Sequence, residues 1–224
     1  MPIELEVFDD DRGAARRAAE LIAAAGAEAK AERNIFSLAM SGGRSPWAML
    51  AILGELDEMP WGETELFQVD ERIASPGSED RNLTHMILGL SMDHQAALRP
   101  MPVTQRDLDA ACREYETSLP ERVDVIHLGL GPDGHTASLV PGDPVLEVSD
   151  RRIALTETAY QDHRRMTMTY PELENARQIL WLVTGDDKVE PLRKLLAGDE
   201  SIPAGRVRNE RMTVVADRAA APDA

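Results

Sequence analysis

Asp133 and His135 stand two residues apart in the stretch GLGPDGHTASLVPG, Gly129 to Gly142, and are of the residue types that make a general acid–base pair. An imidazole titrates near neutrality and can take or return a proton, while a neighbouring carboxylate fixes its tautomer and stabilises its protonated form. An Asp-Gly-His triplet by itself also fits a plain turn, with Asp133 bonded to backbone and His135 at the surface. The setting favours chemistry. Val123-Asp124-Val125-Ile126-His127-Leu128 just upstream is β-branched and mostly apolar, as suits a strand buried on both faces of a parallel sheet. Loops leaving such strands at their carboxyl ends are where open α/β sheets bind ligands.

The glycines of this stretch formally match G-x-G-x-x-G, but the dinucleotide reading fails on context. That fingerprint requires a helix to open at once, whereas Pro132 removes an amide and Pro141-Gly142 stops any helix after about two turns. A second loop fits an anion better. The apolar run 34–40 ends at Ser41-Gly42-Gly43-Arg44-Ser45-Pro46, and Pro46 is well placed in the first turn of a helix over 46–53. Strand, two glycines and a helix start leave free amides and a helix dipole facing the loop, so phosphate is the natural guest. An ordinary tight turn between strand and helix fits the same residues. No Gly-Lys-Ser/Thr follows, so this is not a Walker A loop, and no G-x-S-x-G elbow exists in the chain.

Cations beside such loops matter because the chain carries a formal net charge of −16. Arg72 follows the strand 64–69 in the run Asp70-Glu71-Arg72, which also fits a solvated loop with a surface salt bridge. Lys188 sits in the first turn of the last helix, the wrong end for the dipole unless an anion binds there. Arg165 lies in Arg164-Arg165-Met166-Thr167-Met168-Thr169, which alternates like an edge strand.

The remaining elements form the frame. Asp9 or Asp10 can cap a helix with Ala14, Ala15, Ala18, Leu21, Ile22 and Ala25 on one stripe. Asn82 can cap another, with Leu83, Met86, Ile87 and Leu90 inward and His85 toward solvent. Helices are predicted over about 105–119, briefly over 171–176, and after Asp186 as cap, with Pro191 delaying the regular part and Gly198 beyond the end. Further strands are predicted over 152–156, 178–183 and 212–215. His94 falls in a polar connector, and His127 reads as a satisfied core histidine.

A chain of 224 residues is enough for one substantial α/β domain, taken as 1–218 with 219–224 as a frayed tail. The acidic balance provides no field for nucleic acid or an anionic membrane, and no apolar run approaches a membrane span, so neither partner is expected. The start MPIELEVFDDD lacks the features of a signal peptide, and the single Cys112 excludes an internal disulfide, so a cytoplasmic protein is expected. No Cys/His spacing suits zinc, and no metal is expected.

With these residues placed, the chain resembles the 6-phosphogluconolactonases over nearly its whole length. The likeness rests on Ser41-Gly42-Gly43 with Pro46, Asp70-Glu71-Arg72 followed by Asn82, the GLGPDGHTASLVPG block, Arg165-Met166-Thr167, and Gly185 three residues before Lys188. Their order and spacing together are specific. Val140 departs from the aromatic usual before the proline, and Pro191 interrupts the last helix.

The resemblance implies a Rossmann-like three-layer sandwich with a mainly parallel sheet, no metal or organic cofactor, and hydrolysis of a sugar phosphate lactone. It implies His135 as general base oriented by Asp133, phosphate contacts from Ser41, Gly42, Gly43, Arg72 and Lys188, and Arg165 nearby. A monomer is expected. The related isomerase-deaminases also carry Asp-Gly-His, but the resemblance implies that theirs continues in the manner of Ile-Ala-Phe-Asn-Glu-Pro, where this chain has Thr136-Ala137-Ser138-Leu139-Val140-Pro141. A non-catalytic sugar-phosphate sensor is the alternative from another class.

Overall fold

The computed structural model describes residues 3–90, 96–221 and 223; His94 lies outside them. The chain begins β1 (Glu4–Phe8), α1 (Asp11–Arg33), β2 (Phe36–Met40), α2 (Arg44–Leu53), β3 (Thr64–Gln68), β4 (Asp70–Arg72) and α3 (Asn82–Gly89). Then come β5 (Ala97–Arg99), α4 (Leu108–Ser118), β6 (Val125–Leu128), β7 (Ile153–Leu155), β8 (Arg165–Met168) and α5 (Tyr170–Asn175). The last elements are β9 (Gln178–Val183), α6 (Val189–Ala197), α7 (Pro203–Arg206) and β10 (Met212–Asp217).

Seven strands pair in parallel in the order β1-β10-β9-β6-β2-β3-β5. From β2 the chain moves outward through β3 to β5, then returns to β6 and runs the other way through β9 to β10. The order therefore reverses between β2 and β6, and a crevice opens outside the carboxyl ends of those two strands. Both faces of the sheet are covered, which is why its strands read as continuous apolar runs. Phe36, Leu38, Met40, Leu180 and Leu182 pack with α1, α2 and α3, while Ile126, Leu128, Ile179, Trp181 and Val183 pack with α4 to α7. The expected Rossmann-like three-layer architecture is the one observed.

Helix α1 shows how sequence sets an element. Its buried stripe is nearly all small, Ala14, Ala15, Ala18, Ala19, Ala23 and Ala29 around Ile22, so the helix lies close on the sheet. Asp10 caps it by accepting from the Gly13 amide at 2.7 Å, and Asn34 ends it in the left-handed conformation at φ 56°. Such an N-cap contributes about 1 kcal/mol.

The sequence does not announce the second sheet, β4-β8-β7, which is antiparallel. Asp70–Arg72 is a strand in its own right, and β8 is the central strand of its sheet rather than an edge. Val69 joins the two sheets: its amide bonds Met40 O at 3.0 Å, and its carbonyl accepts from Met168 N at 2.8 Å. Strands β1 and β5 also carry no buried apolar run, since both lie at the sheet margins and neither has a buried residue.

Local differences have local causes. The helix expected from 105 opens at Leu108 because Asp107 takes the Ala110 amide. In α3 only Met86 of the predicted stripe is buried and Ile87 is 53% exposed, while His85 stacks on Trp47 at 5.7 Å instead of facing solvent. Of the segment read as a frayed tail, Ala220 and Ala221 are buried and both amides bond Asp217. Among the described residues no helix is long and apolar enough to cross a membrane.

Candidate active site

The loop after β6 folds back on itself. Gly131 N donates to His135 O at 2.8 Å, and Thr136 Oγ1 to Gly129 O at 2.9 Å. A Cβ on Gly131 would stand 2.0 Å from His135 Nδ1, so only glycine lets the imidazole lie over the turn. Asp133 Oδ1 meets His135 Nδ1 at 2.5 Å and also accepts the His135 amide at 3.1 Å. The bond from His135 outweighs burial and brings the Asp133 carboxyl down to about 2, so it is ionised at neutral pH. An anionic Asp133 accepts a hydrogen bond from the Nδ1–H, which leaves the lone pair on Nε2. His135 lines a cleft of about 300 Å³ at the strand-order reversal.

The opposite wall is the loop after β2. Ser41 N bonds His127 O at 3.2 Å, and Gly43, at φ 132°, turns the chain into α2. A Cβ on Gly42 would stand only 1.9 Å from Asn82 Oδ1, so the backbone here passes hard against that side chain. Ser45 Oγ and Thr184 Oγ1, 2.5 Å apart, tie this loop to the one after β9.

The small sheet supplies the third wall. In its register Arg72 faces Arg165 and Asp70 faces Thr167, and strand periodicity puts all four on one face. Asp70 is buried, accepting from Ser138 Oγ at 2.6 Å and Asn82 Nδ2 at 3.2 Å, with Arg165 Nη1 at 3.6 Å. Arg72 Nη1 donates to Asn82 Oδ1 at 2.8 Å. Glu71 points the other way and is fully buried, accepting from the amides of Arg72, Asn82 and Leu83. Glu71, not Asn82, thus caps α3, which frees Asn82 to hold Arg72. The surface salt bridge considered for Asp70-Glu71-Arg72 is not what forms.

Lys188 reaches the cleft from a 3₁₀ turn, Asp186–Lys188, with its Nζ 2.6 Å from Asp187 Oδ2. Asp186 lies inside that turn, capped by Gly185, and is not a helix cap; the α-helix opens at Val189, so Pro191 falls in its first turn, and Gly198 ends it. Ser41, Gly42, Gly43, Arg72, His135, Arg165 and Lys188 therefore all line one cleft, with Asp133 behind His135. Sequence reasoning noted Asp70 by its place after a strand but left its role open, and gave no role to Gln161, Thr184 or Ser138, the last of which reaches the site through Asp70.

Three buried donors on this cleft lack a hydrogen bond among the described residues: Ser41 Oγ, Arg72 Nε and Arg165 Nε. Burial lowers the pKa of Arg165, Asp70 opposes that shift, and Arg72 adds to it. Two facing guanidiniums with unused donors make an anion site. His127, expected to be satisfied, is wholly buried with neither ring nitrogen bonded among the described residues, and burial holds it neutral by lowering its pKa to about 3. Among the described residues no three His, Cys, Asp or Glu side chains group as metal ligands.

A larger cavity, about 810 Å³, lies at the amino-terminal ends of β6, β9 and β10. Four of its five arginines are engaged: Arg33 and Arg177 pair with Asp124, Arg122 bonds backbone carbonyls and Arg208 pairs with Glu200. The smaller cleft holds the titratable base and the unused donors, so it is the functional candidate despite its size.

Residues 9–216 match the family model for glucosamine-6-phosphate isomerases/6-phosphogluconolactonase. A 6-phosphogluconolactonase of Mycobacterium tuberculosis is 31% identical over 244 aligned positions, covering 99% of this chain and 98% of that one. The crystal structure of 6-phosphogluconolactonase from Thermotoga maritima has a TM-score of 0.86 at 25% identity, covering 96% and 99% of the two chains. A monomeric glucosamine-6-phosphate deaminase superposes with a TM-score of 0.87 at 21% identity, covering 98% and 99%, a likeness of fold alone.

Proposed function

The chain belongs to the family of glucosamine-6-phosphate isomerases and 6-phosphogluconolactonases, and from that premise we propose that it hydrolyses 6-phospho-D-glucono-1,5-lactone to 6-phosphogluconate in the oxidative pentose phosphate pathway. The observation that carries this reading is the His135 imidazole, its Nδ1 engaged by Asp133, sharing one cleft with Arg72 and Arg165, whose buried Nε donors are unbonded. Such a cleft suits an anion at one end and proton transfer at the other.

A δ-lactone carbonyl is already electrophilic, so hydrolysis requires an activated water, an anchored substrate and a proton for the leaving ring oxygen. His135 Nε2 takes a proton from water as the oxygen attacks C1, giving a tetrahedral intermediate. That intermediate collapses with cleavage of the bond from C1 to the ring oxygen, and Nε2 returns its proton to the departing oxygen. Asp133 keeps the imidazole in the required tautomer and stabilises it while charged. The Ser41-Gly42-Gly43 loop, Arg72 and Lys188 hold the phosphate, with Arg165 beside them. Acid–base assistance of this kind gives roughly 10²–10⁴-fold.

One observation favours the deaminase as a second reading: Asp70 places a carboxylate on the cleft, and ring opening with proton transfer uses an additional acid or base of that kind. Against it, Asp70 is engaged by Ser138, Asn82 and Arg165, and Thr136 to Pro141 add no carboxylate. The deciding experiment follows lactone disappearance and ammonia release from glucosamine 6-phosphate on one EDTA-treated preparation. Lactone hydrolysis without ammonia is expected. Ammonia without lactone hydrolysis would overturn the reading, and loss of activity on chelation would reveal a metal requirement.

A further inference from the structure

We infer that Tyr160 is a positioning residue that fixes the His135 base against the Arg165 cation, an inference that rests on the lactonase reading. Tyr160 sits in the connection between β7 and β8, a segment with no motif in the sequence. Its ring centroid lies 5.0 Å from that of His135 at an interplanar angle of 63°. The Arg165 guanidinium carbon lies 5.3 Å from the same ring centroid. One aromatic side chain therefore touches both the proton-transfer group and a cation of the anion site.

The tyrosine is held there from its backbone. Tyr160 N donates to His163 O at 3.0 Å, closing a two-residue tip in which Gln161 and Asp162 both have positive φ, 51° and 66°. Asn-Gly adopts that conformation readily and Gln-Asp does not, so surrounding contacts maintain it. Arg165 Nη2 supplies two of them, to Tyr160 O at 3.1 Å and Gln161 Oε1 at 3.2 Å. His163 Nε2 approaches Asp80 at 3.3 Å. The stem is clamped by Asp143, which accepts from Thr158 Oγ1 at 2.6 Å and from the amides of Thr158 and Glu157 at 2.9 and 3.3 Å. Burial first, then the charge of Asp133, raises the Tyr160 pKa, so the phenol stays protonated beside the acid–base pair.

This matters because His135 Nδ1 is held by a single carboxylate oxygen, a contact about which the imidazole can swing. Packing of the Tyr160 ring removes that swing and sets where Nε2 points. Misplacing a reacting group by about 1 Å costs roughly 10²-fold in rate.

The test compares wild type with Tyr160→Ala and Tyr160→Phe in lactone turnover and in the NMR spectrum of the His135 imidazole. Tyr160→Ala should lower kcat roughly 10- to 100-fold, more than it raises KM, and should shift the His135 Cε1–H resonance as the neighbouring ring current disappears. Tyr160→Phe keeps the ring and should restore most of the rate and the resonance. If the alanine variant does not fold, Tyr160→Leu takes its place, filling the volume without an aromatic ring. Wild-type kcat in the alanine or leucine variant would overturn the inference, as would a phenylalanine variant as impaired as alanine. If the wild type fails to hydrolyse the lactone, the lactonase reading falls, while NOEs between the His135 imidazole and the Gly131 backbone, which report distance and not ring current, still decide whether Tyr160 positions His135.

Discussion

Gly42→Ala tests the anion grip at the point where its parts meet. The added methyl would lie 1.9 Å from Asn82 Oδ1, against an ordinary contact near 3.5 Å, so Asn82 must retreat by about 1.5 Å. A shift of that size breaks the 2.8 Å bond from Arg72 Nη1 and the 2.9 Å bond from Asn82 Nδ2 to Asp70 O. Losing a hydrogen bond to a charged group costs about 1.5–3 kcal/mol. At about 1.4 kcal/mol per factor of ten, affinity for 6-phosphogluconate should fall roughly 10- to 100-fold. Asn82→Ala deletes the same acceptor and should produce a similar loss. The two changes act through one contact, so the double variant should bind no worse than the weaker single variant. Isothermal titration of the four proteins with 6-phosphogluconate measures this. Wild-type affinity in Gly42→Ala, or losses that multiply in the double variant, would refute the proposed route from Gly42 through Asn82 to Arg72.

His135→Ala should lower kcat roughly 10²–10⁴-fold with little change in KM. Asp133, brought from 3.8 down to about 2, stabilises the fold by its pairing above its unfolded pKa and loses that contribution as pH falls through about 2. From about pH 5 to 8 it stays ionised, so the hydrogen bond it offers His135 should persist across that range. Lys188→Ala should weaken 6-phosphogluconate binding about tenfold or more, and unphosphorylated gluconolactone should be a poor substrate of the wild type. Asp10→Ala, which removes the α1 cap, should cost about 1 kcal/mol in urea unfolding.

The main sheet was legible because burial on both faces writes itself as apolar runs, as at 36–40, 125–128 and 178–183. The loops that follow them carry their own signatures, so Ser41, His135 and Lys188 stood out one by one, and the resemblance implied that they share a site. The small sheet could not. Asp70-Glu71-Arg72 carries no apolar signal, and its partner strand lies more than ninety residues away. Asn82 looked like a cap because its type suits one, yet Glu71, buried and reached by three amides, fills that role. Tyr160 offered neither motif nor periodicity; only the hairpin tip's path over His135 gives it meaning.

The pairing of β4 with β8 also governs how this chain can vary over time. Arg72 and Arg165 share a face because their strands are in one register, Arg72 opposite Arg165 and Asp70 opposite Thr167. Inserting one residue within β8 would turn every later side chain to the other face and separate Arg165 from Thr167. Inserting two would preserve the face but displace the pair along the strand. Length changes among descendants of this protein should therefore be excluded from 165–168 and fall in the 157–163 connection only where they preserve both the Asp143 clamp and the place of Tyr160 beside His135. The site is inherited as a register as much as a set of residues.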